Sequence, residues 1–484
     1  MLKTINDKPN IQQAPRDHHI AARYDAAQTH AGNEKHWSEA DALSAGAALT
    51  PHVRRLLRNR SRYECENNSF AAGVVETVAT DTIMTGPRLQ LLTEDADLNQ
   101  YVERRFRSWS QEVGLARKLQ TLRMARIRDG EGFAILGNNE RLRHPVKLDL
   151  RCIEADQFSD PAYRLEVTES DGIEYDRWGN PTTYSLLRDH PGSLSGRYYD
   201  LRADRIPAES VIHYFKMRRA GQLRGVPDLA PALPLFAMLR RYTLAVIAAA
   251  ETAASFAGII YTDSPADESG YDVDPLDTFE VVRNMFTSMP AGWKLNQLEA
   301  EQPTSTYGEF RDKLLNEISR CLIVPLNVAL GDSSKYNYAS GRLDHQVYHR
   351  NIYVDRSDIS LTALDQRIWR QWIDEASLID GYLPAEMRQI DADLVPHEWH
   401  WDGFEHVDPD KESKGDERNL RTGRLTIPDM HAKNGKDWEE QQAKQAAALG
   451  LSIEDYRSRL ADYLLGPVAP EPVEQEEEVE VEED

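Results

Sequence analysis

The sequence predicts an α+β fold, mainly helical, in which a layer of helices leads into a small antiparallel sheet and longer helices follow. Three observations carry this. Apolar residues recur at three- and four-residue intervals between about 50 and 128. The period then falls to two, with turn residues between short runs, up to about 215. Helical spacing returns from 235 onward, in segments too long for strands. A length of 484 residues suggests about two to four domains. Nine Trp, 20 Tyr and 11 Phe supply enough core to exclude a wholly disordered chain.

Residues 1–39 are polar and read as an arm whose order depends on its neighbours. Thr50-Pro51 places a cap before proline at the first helical position, opening a helix with Val53, Leu56 and Leu57 on one face. Arg54, Arg55, Arg58, Arg60 and Arg62 crowd that helix. They could meet phosphates, or pair with acids on a neighbouring helix or subunit; the acidic balance of the chain favours pairing. A second helix, 69–84, stops at Gly86-Pro87. A third, 95–112, spaces Leu98, Val102, Phe106 and Trp109 by four and three, and a fourth runs 115–128. Strands are expected at Phe133–Leu136, Lys147–Ile153, Gly172–Tyr175, Thr182–Leu187 and Val211–Phe215, with a turn at Trp178-Gly-Asn-Pro181.

Leu235–Ala257 is a strong helix whose small residues, Ala245 and Ala249 among them, permit close packing. It approaches the roughly 18 apolar residues of a membrane span, but Arg240, Arg241 and Glu251 interrupt it. A buried helix and no membrane are therefore expected. Residues 259–303 are a turn-rich insert with weak strand signals at Ile259–Tyr261 and Trp293–Leu295. Thr306-x-x-Glu309 is a capping-box pattern, and the helix after it aligns Phe310, Leu314, Ile318, Cys321 and Leu322 on one stripe. Val324-Pro325 ends it. A polar loop, Gly331–Gly341, follows, with glycines at both ends as hinges. A long helix over 342–375 carries Ile352, Ile359, Leu364, Ile368 and Trp372. A last helical region, 408–465, precedes a tail with nine acids and no base in its final fourteen residues. That tail repels itself and is expected to be disordered.

Composition narrows the function. The net charge of −23 argues against a basic nucleic-acid binder. Cys65, Cys152 and Cys321 form no CxxC pair, which fits a reducing compartment rather than a disulfide scaffold. The N-terminal stretch lacks an apolar segment, so no secretory signal is expected. No GxxxxGK[ST], GxGxxG or GxSxG is found. His397-Glu-Trp-His400 spaces its histidines by three, not by the four of a zincin helix. Asp171, Glu174 and Asp176 alternate on a hairpin and could chelate Mg²⁺; a solvated strand face is the plainer reading. Asp129-Gly-Glu-Gly132 reads as a turn between helix and strand. No catalytic residue, metal or cofactor is therefore expected, and no enzyme.

Four blocks in order resemble the lambda family of tailed-phage portal proteins. They are Leu56-Leu-Arg-Asn-Arg-Ser-Arg62 with Asn67-Asn68; Val211-Ile-His-Tyr-Phe215 with Arg218-Arg-Ala-Gly-Gln-Leu-Arg-Gly-Val-Pro227 and Leu229-Ala-Pro-Ala-Leu233; Asn337-Tyr-Ala-Ser-Gly-Arg342; and Trp401 through Asp437, including His406-Val-Asp-Pro-Asp410 and Asn434-Gly435. The resemblance implies a ring, usually of twelve subunits, at a unique capsid vertex. It would conduct double-stranded DNA during packaging and ejection. It would contact the major capsid or scaffold protein, the terminase large subunit and head-completion or adaptor proteins. The location implied is the virion, and the host bacterial cytoplasm during assembly.

The same resemblance divides the chain into an arm 1–39, a wing 40–228, a stem helix 229–258, a clip 259–303, a second stem helix 304–325, a tunnel loop 326–341, a wing helix with its following segment 342–401, a crown 402–465 and a tail 466–484. It implies that Asp332, Ser333, Ser334, Lys335, Tyr336, Asn337 and Tyr338 face the DNA channel. Ala245, Ala249, Phe310, Leu314 and Ile318 would build the stem wall. Two rival readings remain from the residues: a metal-dependent nuclease or phosphotransferase using 171–176, and an internal scaffold of a phage-derived particle that conducts no DNA.

Overall fold

The computed structural model describes residues 33–161, 171–193, 202–254, 258–262, 293–297, 307–388, 390–404 and 409–466. Residues 1–44 and 45–484 form separate units. In the first, residues 33–39 make turns. Most of the expected arm, most of the insert 259–303, Thr306, His406 and the acidic tail lie outside the described residues.

The second unit opens with α1 (Ala45–Ala48), α2 (Pro51–Asn67) and α3 (Ser69–Ile83). The Thr50 side chain accepts from Val53 N, so the expected cap is present. Asn68 separates two helices by serving both: its N–H reaches Glu64 O, and its side chain accepts from Phe70 N. After β1 (Arg88–Leu91) come α4 (Ala96–Val113) and α5 (Leu115–Asp129), joined by Gly114 at φ +64°. A left-handed residue lets one helix stop and the next start without a linker. Then follow β2 (Glu131–Asn138), β3 (Leu148–Ile153), β4 (Ile173–Tyr175), β5 (Pro181–Leu187), β6 (Ala203–Pro207) and β7 (Val211–Phe215).

The single small sheet expected here is in fact two. β3-β2-β7 and β4-β5-β6 are separate antiparallel sheets of three strands each. The period-two alternation of β2 explains why. Ala134 and Leu136 face one core, while Phe133 faces another with Phe158, Tyr184 and Val211. The second sheet packs on the back of the first instead of extending it.

The chain continues through α6 (Leu233–Ala254), the antiparallel pair β8 (Gly258–Thr262) and β9 (Trp293–Gln297), α7 (Tyr307–Leu322) and α8 (Leu326–Leu330). α9 (Tyr338–Ile359) then runs on through a π-helical segment, Ser360–Trp369, into α10 (Arg370–Leu378). The buried residues Ile352, Ile359, Leu364, Ile368 and Trp372 all point inward as expected. Ile359 and Leu364 are five apart, and the wider π turn keeps both on the inner face. Phe106 and Trp109 of α4 meet Trp369 and Trp372 there, in the largest core. β10 (His397–His400) returns to pair with β1, Arg88 opposite His400. This two-stranded sheet is not expected from the sequence. Four C-terminal helices close the described part: α11 (Pro409–Arg421), α12 (Ile427–Lys433), α13 (Trp438–Ala448) and α14 (Ile453–Leu465).

Three further expectations change. α6 is not a buried helix. It is long and apolar enough to cross a membrane by length and composition alone, yet little of it is covered: Leu233, Phe236 and Leu239 are buried, whereas Met238, Leu244, Ala245 and Ala248 are exposed. Only its first turns reach a core, with Leu315 and Ile318 of α7 and Ile352 of α9. The expected stripe on α7 holds except at Phe310, with Leu314 and Cys321 packed against the same core. Ile318 and Leu322 are buried beside Leu315, but Phe310 is 49% exposed. Finally, the polar loop is shorter than expected, because Asn337 caps α9 and draws Ser340 and Gly341 into the helix. Gly331, at φ +67°, ends α8, whereas Gly341 is no hinge.

Candidate functional site

The arginines of α2 recur every four residues, so Arg54, Arg58 and Arg62 share one helix face. That face lies on acids. Arg54 reaches Asp171 at 3.0 Å, Arg58 reaches Asp156 at 2.8 Å and Glu131 at 3.2 Å, and Arg62 reaches Asp129 and Asp156 at 2.8 Å each. The pairing reading therefore holds within one chain. The acids come from the end of α5, the start of β2 and the connection between β3 and β4, not from one neighbouring helix.

Glu131 is the centre of this network and is fully buried. One oxygen accepts from Arg224 at 2.7 Å and Arg58 at 3.2 Å. The other accepts from Arg224 Nε at 2.9 Å and Gly225 N at 3.0 Å, and His213 Nε2 lies 3.2 Å away. Burial acts to raise its carboxyl, but Arg224 and His213 outweigh that and hold it well below the usual carboxylate range. Both oxygens are occupied, so Glu131 fastens; it has no lone pair free to act as a base. Arg224 also donates to Phe158 O and Asp171 O. The backbone approach is as close as glycine allows. A Cβ on Gly225 would lie 2.1 Å from Gly130 O, and one on Gly130 would lie 2.6 Å from Pro227 N.

A second charged junction fixes α9 to this body. Arg123 reaches Asp355 at 2.6 Å and Arg126 reaches it at 3.0 Å, while Arg126 also bonds the Tyr214 hydroxyl. Arg356 donates to Thr82 O, Asp81 O and Asp402 O. Asp228, beside the 218–227 segment, takes Arg218 at 2.6 Å.

The candidate metal residues have other partners. Asp171 accepts from Arg54 and Ser159; Glu174 pairs with Arg205; Asp176 accepts from Trp178 N and Asn180 N in the hairpin turn. They do not converge. His397 reaches Asp365 and Val395 O from a strand. A group not foreseen from sequence, Glu154, Asp156 and His190, brings ligand atoms within 4.8 Å of one another. It lies at a cleft of about 640 Å³ lined by the same arginines. Arg58 and Arg62 already bind Asp156, and Arg62 lies 3.5 Å from Glu154, so the carboxylates are balanced by guanidinium.

The loop 331–337 joins α8 to α9. Asp332 accepts from Ser334 N at 2.9 Å, and Tyr336 N donates to Ser333 O at 3.1 Å, giving a folded turn. Lys335 extends to Asp312 of α7 at 2.8 Å. The stem residues behave differently from one another. Tyr242 of α6 packs edge-on against Phe310 at 4.9 Å between ring centres, and Thr243 bonds the Tyr307 hydroxyl at 3.0 Å. Leu314 is partly buried and Ile318 fully so, whereas Ala245 is exposed and Ala249 half-buried.

A family model for lambda-family phage portal proteins matches residues 32–356. This chain belongs to the lambda family of phage portal proteins. The probable portal protein of Halomonas phage phiHAP-1 is 24% identical over 408 residues, covering 79% of this chain and 77% of that one. A chain in the neck of an empty gene transfer agent particle aligns over 81% of this chain and 92% of its own, at 15% identity and TM-score 0.47. One in the virion of a native gene transfer agent particle aligns over 82% and 93%, at 14% identity and TM-score 0.47.

The portal resemblance blocks acquire physical roles in the fold. Arg58 of the first meets Arg224-Gly225 of the second across Glu131, and Arg62 holds the neighbouring Asp129. Asn337 of the third is a helix cap. In the fourth, Gly435 sits where a Cβ would press on Trp401 O at 2.9 Å, and Asp437 caps α13. In the sequence the 218–227 segment stands out only as resemblance, and Gly130-Glu131-Gly132 only as a turn. An acid set between glycines at the mouth of an apolar strand was the signal that it would be buried and need a cation.

Proposed function

We infer that copies of this portal chain close into a ring, twelve in the family's usual count, at one capsid vertex, and that DNA passes along its axis during packaging and ejection. One observation supports the ring above others. Met238, Leu244 and Ile247 of α6 are 61%, 62% and 48% exposed, and Leu343, Val347 and Val354 of α9 are exposed as well. Two such helix faces on one chain suit a heterologous contact, in which different patches of neighbouring copies meet and the rotation closes. On this reading α6 and α7 are the stem and the segment between them the clip, which would meet the packaging motor and later the head-completion proteins. The loop 331–337 is the tunnel loop, with Lys335, Tyr336 and Tyr338 touching DNA transiently.

The charge fits a conduit. A net −23 per chain keeps non-specific phosphate binding weak and lets a duplex slide, with sparse cations as passing contacts. A duplex cannot thread a single chain of this size, so the function requires the ring.

Negative-stain images of the purified full-length chain are expected to show annular particles with an axial hole. A lone, non-annular species in solution and in assembled particles would overturn the reading. Rings without a hole would favour the internal scaffold instead.

A further inference from the structure

The loop 331–337 is fastened at two points to its surroundings. Asn327 Nδ2 of α8 donates to Ser333 Oγ at 3.2 Å. Lys335 Nζ donates to Asp312 Oδ2 of α7 at 2.8 Å, although the lysine side chain is 73% exposed. Asp312 itself is held apart from the loop. Its other oxygen takes Arg311 Nη2 at 2.8 Å and Nε at 3.2 Å, and its side chain is mostly buried. The charged groups around the lysine are thus Asp312 and Arg311 from α7 and Asp332 from the loop.

We propose that Asp312 is an internal competitor for the loop's cation: it withholds Lys335 from the phosphodiester backbone and so sets how strongly the ring grips DNA. This rests on the reading of 331–337 as the loop that faces the duplex. The asymmetry of the pair is what makes it a latch. A lysine this exposed forms a weak, salt-screened pair, so a phosphate can take it away. Asp312 does not follow, because Arg311 keeps it in place and balances its charge. The carboxylate therefore waits at the same point and recaptures the lysine once the phosphate has moved on. A passing strand would meet a cation that exchanges between two acceptors instead of a permanent electrostatic well. Asp312 acts through Lys335 and is a positioning residue; it needs no contact with DNA.

The test uses full-length rings and a short fluorescent duplex, with anisotropy followed across NaCl concentration. Asp312→Asn is expected to tighten binding roughly two- to five-fold at low salt, the worth of an exposed ion pair. It should also steepen the slope of log affinity against log salt by about 0.9 for each phosphate gained. Lys335→Ala should weaken binding and flatten the slope, and the double variant should match Lys335→Ala. Asp312→Glu should behave as wild type, which separates loss of the latch from loss of the fold. If Asp312→Asn binds as wild type while Lys335→Ala weakens binding, the latch is wrong and the DNA-facing loop stands. If Lys335→Ala leaves affinity and slope unchanged, the loop reading fails and the latch with it.

Discussion

Arg224 and Glu131 show what a buried pair costs when it is broken. Each is sealed from water and bonded through two atoms to the other. Removing one partner leaves an uncompensated charge in the interior, which costs about 3–5 kcal/mol. Arg224→Ala is expected to lower stability to chemical denaturation by about that much, or to abolish soluble protein. Arg88→Ala, which breaks a partly exposed pair with Asp402, should change it by no more than about 1 kcal/mol. A second residue gives a pH signature. Burial pushes the Glu103 carboxyl up to about 7, against the Leu91 N–H that it accepts, with Asp437 and Glu439 adding like charge. A raised carboxyl contributes stability that is complete below its unfolded pKa and is lost as pH rises through the folded value. Glu103→Gln should therefore melt higher than wild type at pH 8 and converge with it near pH 4, as thermal scans at both pH values would show. The arginine face of α2 was legible from its spacing. Its partners were not, because they are set by chain segments more than sixty residues away that only folding brings together.

Among elements, α6 carries the most consequence. Its composition reads as a buried helix, with Arg240, Arg241 and Glu251 interrupting the apolar run, yet only its first turns join a core. The exposed face offers a direct separation of folding from assembly. Met238→Asp with Leu244→Asp adds charge where the isolated chain has none to bury. Mass photometry is expected to find monomers in place of rings, with circular dichroism unchanged; persistence of rings would remove α6 from the subunit contact. Other elements divide by the range of the forces that make them. α3, α4 and α5 lie within two residues of their expected limits, since caps at Asn68, Asp95 and Gly114 are local chemistry. β10 escaped notice because four residues, His397–His400, become a strand only when β1 supplies the hydrogen bonds. The π-helical segment escaped for a related reason. Nothing in its composition forbids an α-helix; the need to keep both Ile359 and Leu364 against the tryptophan core widens the turn.

At the scale of the whole molecule, two buried charged junctions, Glu131 with Arg58 and Arg224, and Asp355 with Arg123 and Arg126, tie distant segments of the described chain together. The sequence by itself determined most of the helical and extended segments, the absence of familiar catalytic motifs and, through ordered blocks of residues, the portal family. These follow from local preference, periodicity and spacing, which need no partner. Only the tertiary structure decided that one sheet becomes two, that Glu131 gathers Arg58, Arg224 and His213, that Phe310 stays outside while Leu315 goes in, and that Lys335 is already held by Asp312. Each of those depends on which distant surfaces meet. A one-residue turn of a helix or a change of sheet edge alters that meeting without altering the pattern that announces the helix or the strand.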